Sequence, residues 1–293
     1  MQKFNPKKVI QKRSLKYSNF KKYISKSKTG LIYEYQIDKK DLKSFQNSVI
    51  KFVKLNFLQH KIKLKDRSFN NLLKNLDSLS TYTHNGVLKP KKETIKNYNQ
   101  IAVRVLNYLN KMSFKKSIKY ITLPNVRIIR ENKKLKNKNL SPRDTRIPHC
   151  DVWAGQNGSG IFNLGIFGDF KKSSIKYYDI VNFKKNYLNK QNNFLKAKKN
   201  IVKKNYFSQL RLGRSIYFDM IVPHNTFSKP LGKNRISIDF CISLNHLSKK
   251  NNYSYYRYNF FKVKIKDFKL GCKLSIDDSK KNKFKANDGL YFL

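Results

Sequence analysis

Cysteine, glycine, proline and acidic residues are all scarce in this 293-residue chain, and each scarcity closes off a class. The three cysteines, Cys150, Cys241 and Cys272, lie far apart with no CxxC pair. Neither a disulfide framework nor a Cys-based zinc site is expected, and reduced thiols point to a cytoplasmic compartment. Eleven glycines and seven prolines exclude collagen-like and low-complexity chains. No apolar run approaches the roughly 18–20 residues of a membrane-spanning helix. The basic opening MQKFNPKKVIQKRSLKYSNFKKY lacks the apolar region of a secretory signal. Acidic residues number 17 against 65 Lys and Arg, a net charge of +48. That imbalance suits a polyanionic partner, nucleic acid or an anionic membrane surface. It also suits compositional drift. The basic residues are 54 Lys and only 11 Arg, and Asn, Ile, Phe and Tyr are abundant; all but Arg have A/T-rich codons. A nucleic-acid reader would lean on the arginine fork, so drift is the better account, and the charge alone leaves nucleic acid open.

What is present is a core. Twenty-one Phe and 18 Tyr exclude disorder over most of the length. Residues 1–30 are polar and Lys-rich and read as a loosely docked arm. An amphipathic helix is predicted at 41–59, from Leu42, Phe45, Val49, Phe52, Val53 and Phe57 at near-helical spacing. A shorter helix follows at 68–79 with Ser68 as N-cap. The clearest helix is 92–112, with Ile95, Tyr98, Ile101, Val105, Leu109 and Met112 on one face. After about residue 118 the segments become short, β-branched and aromatic: 120–131, 150–155, 160–170, 174–183, 214–224, 235–244 and 258–268. Such strands separated by turn residues indicate a sandwich or barrel. The Lys/Asn-rich stretch 184–207 reads as an exposed loop or short helix over the barrel mouth. The fold class is therefore mainly β with α additions: a helical N-terminal portion (1–118) on a β core (119–293), as one continuous domain.

Of five histidines, two keep unusual company. In PHCDVWAG, His149 and Asp151 are separated by one residue; on a strand both would face one way. They would supply two-thirds of a facial 2-His-1-carboxylate site of the non-haem Fe(II) type. In the second segment, His224 precedes Arg235-x-Ser237 across a Pro/Gly-containing loop. A hairpin centred between Lys229 and Pro230 would pair His224 with Arg235, with Ser237 on the same face and Ile236, Ile238 and Phe240 on the other. A cation so placed needs a carboxylate partner. Trp153 shares parity with His149 and Asp151 and is a candidate pocket wall. Asn163, Arg127, Arg130, Arg143 and Arg146 are further candidates for contacts to a cosubstrate or an anionic substrate. GQNGSG at 155–160 opens no helix and is a turn rather than a phosphate loop. His60, His84 and His246 are read as incidental.

The pattern His149-x-Asp151, His224, Arg235-x-Ser237, spread over residues 120–245, resembles the Fe(II)- and 2-oxoglutarate-dependent dioxygenases of the broad phytanoyl-CoA-dioxygenase-like group. The resemblance implies a double-stranded β-helix (jelly-roll, cupin-like) core. It implies that His149, Asp151 and His224 bind Fe(II), that Arg235 pairs with the distal carboxylate of 2-oxoglutarate, and that Ser237 adds a hydroxyl hydrogen bond. The implied activity consumes 2-oxoglutarate and O2, releases succinate and CO2, and hydroxylates a C–H bond of a small or carrier-linked metabolite (a sugar, amino acid or acyl derivative), with the basic surroundings favouring an anionic one. Asp151 speaks against a halogenase. Cys241, where a second arginine would mark nucleobase demethylases, speaks against that branch. Two other readings stay open: a basic nucleic-acid or membrane-surface protein without catalysis, and a metal-dependent cupin-type enzyme that does not use 2-oxoglutarate. Desaturation or cyclisation in place of hydroxylation stays open too, as does the oligomeric state.

Overall fold

A computed structural model describes residues 4–59, 69–83, 85–90, 92–130, 142–155, 158–229 and 234–245, and three short strands beyond them. Ser68, the strand expected at 258–268, and His60, His84 and His246 lie outside the described residues.

The β-branched and aromatic runs form two antiparallel sheets. The elements in chain order are α1 (Pro6–Ser14), β1 (Ser25–Lys26), β2 (Ile32–Gln36), α2 (Lys39–Gln59), α3 (Phe69–Lys74), β3 (Val87–Leu88), α4 (Ile95–Asn110), β4 (Tyr120–Ile121), β5 (Asn125–Ile129), β6 (Gly160–Gly168), β7 (Ser173–Phe183), α5 (Phe194–Ala197), β8 (Ile201–Gln209), β9 (Arg214–Asp219), β10 (His224–Ser228) and β11 (Arg235–Ser243). In the larger sheet β11 lies between β5 and β6, β9 follows β6, and β2 extends the far side. The smaller sheet runs β10, β7, β8. The extended segment at His149 adds a single antiparallel bridge to His224 of β10. Successive segments from β5 onward therefore occupy the larger, smaller, larger, smaller, smaller, larger, smaller and larger sheets, two interleaved sets of four. This is the strand order of a double-stranded β-helix.

The helices cover the outer face of the larger sheet. On α2, Phe45, Val49, Phe52, Val53 and Phe57 are buried; on α4, Ile95, Tyr98, Ile101, Val105 and Leu109 are. These stripes meet, with Phe45 against Tyr108 and Phe52 against Tyr98. The Gln46 amide donates to the Ile166 carbonyl of β6. Beneath them Phe162 of β6 stacks on Phe240 of β11 at 5.3 Å, with Phe114 at 6.1 Å. Each aromatic so buried contributes about 1.5–3 kcal/mol.

Sequence expectations need four corrections here. Residues 1–30 are not a loose arm. Tyr17 and Phe20 are buried, and Arg13 reaches the fully buried Asp219 at 2.8 Å, which also accepts the Tyr17 hydroxyl. The N-terminal portion also contributes β1, β2 and β3 to the larger sheet. Residues 201–207, expected as loop, form most of strand β8, which pairs with β7. The run 150–155 is no strand: Asp151–Ala154 is a 3-10 turn ended by Gly155 at φ +81°.

The junction of β6 and β7 depends on one glycine. Gly168 has φ +100°, and a Cβ there would lie 2.0 Å from the Asn234 carbonyl oxygen beside Arg235. Gly168→Ala is expected to cost roughly 2–4 kcal/mol, from backbone strain plus displacement of β11. Urea denaturation measures it, and a midpoint equal to that of the wild type would refute the close approach.

Candidate active site

His149 and His224 are placed by main-chain pairing. The His149 amide donates to the His224 carbonyl at 3.0 Å, and the reverse bond is 2.8 Å. Their rings lie 4.4 Å apart between centroids. Each Nδ1 sits against the carbonyl oxygen two residues earlier, Ile147 at 2.8 Å and Val222 at 3.1 Å. A carbonyl accepts only, so Nδ1 carries the proton and Nε2 keeps its lone pair. Burial, with the neighbouring His224 second, lowers the His149 pKa to about 4; burial likewise lowers His224 to about 4. Both rings are neutral at pH 7.

Asp151 joins them from the first position of the 3-10 turn. Its Oδ2 lies 3.7 Å from His224 Nε2. With both imidazoles neutral this is no ion pair, and that buried oxygen has no hydrogen-bond partner. Burial pushes the carboxyl up to about 6, against the pull of His149. Two neutral Nε2 donors and one orphaned carboxylate oxygen are the donor set that a divalent iron takes, each imidazole oriented by a backbone acceptor. Among the described residues no group of three or more His, Cys, Asp and Glu is placed to hold a metal ion as it stands; His149, Asp151 and His224 supply the donor types of such a site without forming one. Their chemistry fits the metal.

The second half of the site comes from the inner face of β11. Ile236, Ile238 and Phe240 face the helices, while Arg235, Ser237 and Asp239 alternate with them, bordered by a bulge between Ile236 and Ser237. Arg235 is 1% exposed. Its Nε approaches the Ser173 hydroxyl at 3.3 Å and its Nη1 the Ser237 hydroxyl at 3.5 Å, while Nη2 has no partner. Burial lowers its pKa to about 10, opposed by Tyr177. Tyr177 of β7 is fully buried and its hydroxyl accepts the Asn163 amide at 2.6 Å, which leaves the phenolic proton to donate. Its Cα partner across the smaller sheet is His224. The surroundings of Arg235 therefore offer hydroxyls and an amide but no paired carboxylate among the described residues. That is a receptor for an anionic, preferably forked, ligand group.

The expected hairpin is absent. His224 pairs with Tyr177 and Arg235 with Ile129 and Gly168, because the β-helix sends β10 and β11 to opposite sheets. Trp153 is fully buried: its strand parity ends with the 3-10 turn, its indole N–H donates to the Tyr187 carbonyl, and its ring packs on Tyr187 and Phe194. Arg127 is engaged by Asp239, at 2.7 and 3.3 Å, and by the Asn85 carbonyl. Arg130 pairs with Asp77. Arg146 is held by Asp144, and Arg143 meets Asn192 at the surface. Arg127, Arg130 and Arg146 thus each meet a carboxylate, and Arg143 an amide oxygen. Sequence reasoning missed Ser173, Tyr177 and Phe194. The first two were visible as one strand face with Ile175, alternating with Ser174 and Lys176; Phe194 was hidden by its Lys/Asn-rich neighbours.

Arg127→Met leaves Asp239 half-buried without its counter-ion and is expected to cost roughly 1–3 kcal/mol. Chemical denaturation of Arg127→Met, Asp239→Asn and the double variant gives the coupling, and strictly additive losses would remove the pair from the account.

No family model matches the sequence, and no curated protein matches it. Among solved structures the chain is similar to the non-haem α-ketoglutarate-dependent epimerase SnoN of nogalamycin biosynthesis (10% identity, 84% of this chain and 92% of that one, TM-score 0.41). It is similar to AviO1 from Streptomyces viridochromogenes (6%, 87% and 100%, 0.41). It is also similar to an N-substituted L-amino acid dioxygenase from Burkholderia ambifaria (11%, 82% and 89%, 0.36). At these identities and TM-scores the likeness is too remote to carry an argument, and the chemistry rests on the residues of this chain.

Proposed function

We propose that this chain is an Fe(II)- and 2-oxoglutarate-dependent oxygenase that hydroxylates a C–H bond of a small or carrier-linked metabolite. The observation that carries the reading is one barrel interior with two sets of unpartnered polar atoms: a buried neutral His pair beside an orphaned carboxylate oxygen, and a buried guanidinium whose Nη2 has no hydrogen-bond partner. His149, Asp151 and His224 would hold the iron. Arg235, aided by Ser237, Ser173 and the Tyr177 hydroxyl, would hold the distal carboxylate of 2-oxoglutarate. When bound, iron supplies the O2 chemistry that couples loss of CO2 from 2-oxoglutarate, leaving succinate, to oxidation of the substrate.

The residues of this chain have the remaining tasks. The Ile147 and Val222 carbonyls fix the tautomers and planes of the two imidazoles. Asn163 orients the Tyr177 phenol so that its proton faces an arriving anion. Phe218, 4.9 Å from His224 and 5.0 Å from Tyr177 between centroids, keeps the space between the two halves apolar. A carboxylate meeting Arg235 there does so without competing water, which strengthens the pair. The +48 charge favours an anionic substrate. No helix among the described residues is long and apolar enough to cross a membrane, and Cys150 is a buried free thiol, in keeping with a reducing compartment.

Succinate formation tests the proposal. Fe(II)-loaded protein given 2-oxoglutarate and O2 is expected to form succinate even without its substrate, slowly. His149→Ala and Asp151→Ala are expected to lose iron binding and succinate together. Arg235→Met is expected to raise the 2-oxoglutarate KM by about 10–100-fold with iron binding kept. Neither iron uptake nor succinate in the wild type would overturn the reading and promote the basic binding module, for which salt-dependent, sequence-independent DNA binding is the signature. Iron uptake without 2-oxoglutarate binding would promote the cupin-type alternative. A separate variant, Tyr177→Phe, is expected to raise the 2-oxoglutarate KM about 3–10-fold, the range for one lost hydrogen bond of ordinary net strength. An unchanged KM would remove Tyr177 from the cosubstrate site.

A further inference from the structure

We propose that Phe194 is a positioning residue for His149, and that the Lys184–Asn200 excursion exists to deliver it; this rests on the metal-site reading above. The Phe194 ring lies flat on the His149 imidazole, with centroids 4.7 Å apart and planes 6° from parallel. His149 thus contacts both Phe194 and His224, with its Nδ1 edge on the Ile147 carbonyl. Three contacts fix the ring in three different senses. The carbonyl sets the tautomer, His224 limits approach on one side, and the flat stack forbids rotation about the Cβ–Cγ bond, because turning the imidazole would drive its edge into the phenyl face.

The excursion is built to hold Phe194 there. Its ends are closed by the Lys184 amide on the Asn200 carbonyl. The Gln191 amide donates to the Trp153 carbonyl and the Phe194 amide to the Pro142 carbonyl, at 2.9 and 2.7 Å, tying the excursion to both sides of the His149-x-Asp151 segment. The Asn193 side chain caps the short helix that starts at Phe194. Tyr187 is fully buried, accepts the Trp153 indole N–H on its carbonyl and donates its hydroxyl to Ile221. Phe194 is 3% exposed although exposed lysines flank it in sequence. Burying an aromatic within a polar strand-to-strand excursion is explained if its partner must be kept in one orientation. A generic apolar plug of the same volume would need no coplanarity.

Cobalt(II) is the probe, because it reports both affinity and ligand geometry through its visible absorption without requiring turnover. Titrations compare wild type with Phe194→Leu, which keeps apolar volume but loses the flat ring, and Phe194→Tyr, which keeps the ring. Far-UV circular dichroism and urea midpoints confirm that each variant is folded. Loss of an orienting neighbour of a ligand typically weakens metal binding about 10–100-fold. Phe194→Leu is expected to bind cobalt at least about tenfold more weakly than wild type, with an altered visible spectrum, while Phe194→Tyr stays within about threefold with the wild-type spectrum. Wild-type affinity and spectrum in Phe194→Leu would overturn the inference, and so would a Phe194→Tyr that falls with Phe194→Leu. A wild type that binds no cobalt would instead overturn the metal-site reading itself.

Discussion

Arg235 is buried with one nitrogen unpartnered, and the interior is organised around it. Taking a guanidinium out of water without an anion costs several kcal/mol. Among the described residues no carboxylate repays this: the Ser173 and Ser237 hydroxyls lie at 3.3 and 3.5 Å, and Tyr177 is turned by Asn163 toward donating rather than accepting. The cost is offset on the same strand. Ile236, Ile238 and Phe240 are fully or almost fully buried against the helical layer, each contributing about 1.5–3 kcal/mol. One strand thus carries a stabilising outer face and a destabilising inner face. A buried polar face opposite a well-packed apolar one is what a binding interior looks like, since a core alone has no use for it.

The scarcity of carboxylates sharpens the same point. With 17 acids against 65 bases, each acid held away from full exposure is conspicuous, and several of them tie segments together. Asp219 receives Arg13 and Tyr17 from the N-terminal portion. Asp239 of β11 receives Arg127 of β5. Asp179 accepts the Thr29 amide, and the half-buried Asp144 braces Arg146 just before His149. Asp151 departs from this usage. Its nearest basic neighbour is an imidazole that burial keeps neutral, and one of its oxygens has no hydrogen-bond partner. Among the described residues no lysine pairs with this buried carboxylate, which is why the proposed function assigns it a cation.

How much of this was legible in the sequence follows from what kind of information each feature needs. His149, Asp151, His224, Arg235 and Ser237 could be picked out because rare residue types recur at a recognisable spacing. The alternation of Arg235 and Ser237 with Ile236, Ile238 and Phe240 could be read because parity is local to one strand. Partnership is not local. The hairpin arithmetic that joined His224 to Arg235 assumed adjacent strands pair, whereas here they lie in facing sheets, so the correct neighbours, Tyr177 and Gly168, come from far along the chain. Trp153 was misread for a smaller reason: the extended run stops at Cys150, and a 3-10 turn rotates each later side chain off the strand face. Tyr17, Tyr187 and Phe194 were invisible because single aromatics among lysines and asparagines give no periodic signal. Their burial comes from the tertiary contacts they make.

The site's geometry therefore depends on two sheets that share few covalent constraints. His149 and His224 belong to the smaller sheet, Arg235 and Ser237 to the larger, and Asp151 to the turn between them. Their separation is set where side chains cross the interior: Asn163 to Tyr177, Arg235 to Ser173, and Phe218 against both Tyr177 and His224. The larger sheet is stiffened from outside by α2 and α4, the smaller one by the long pairing of its own strands β7 and β8 and by the excursion that carries Phe194. A centre that must hold two groups in register works best on strands whose own packing locks them, since loops would leave the spacing to fluctuate. The inward polar residues on β7 and β11 are thus inseparable from the apolar layers behind them, which turn a loose collection of donors into fixed positions.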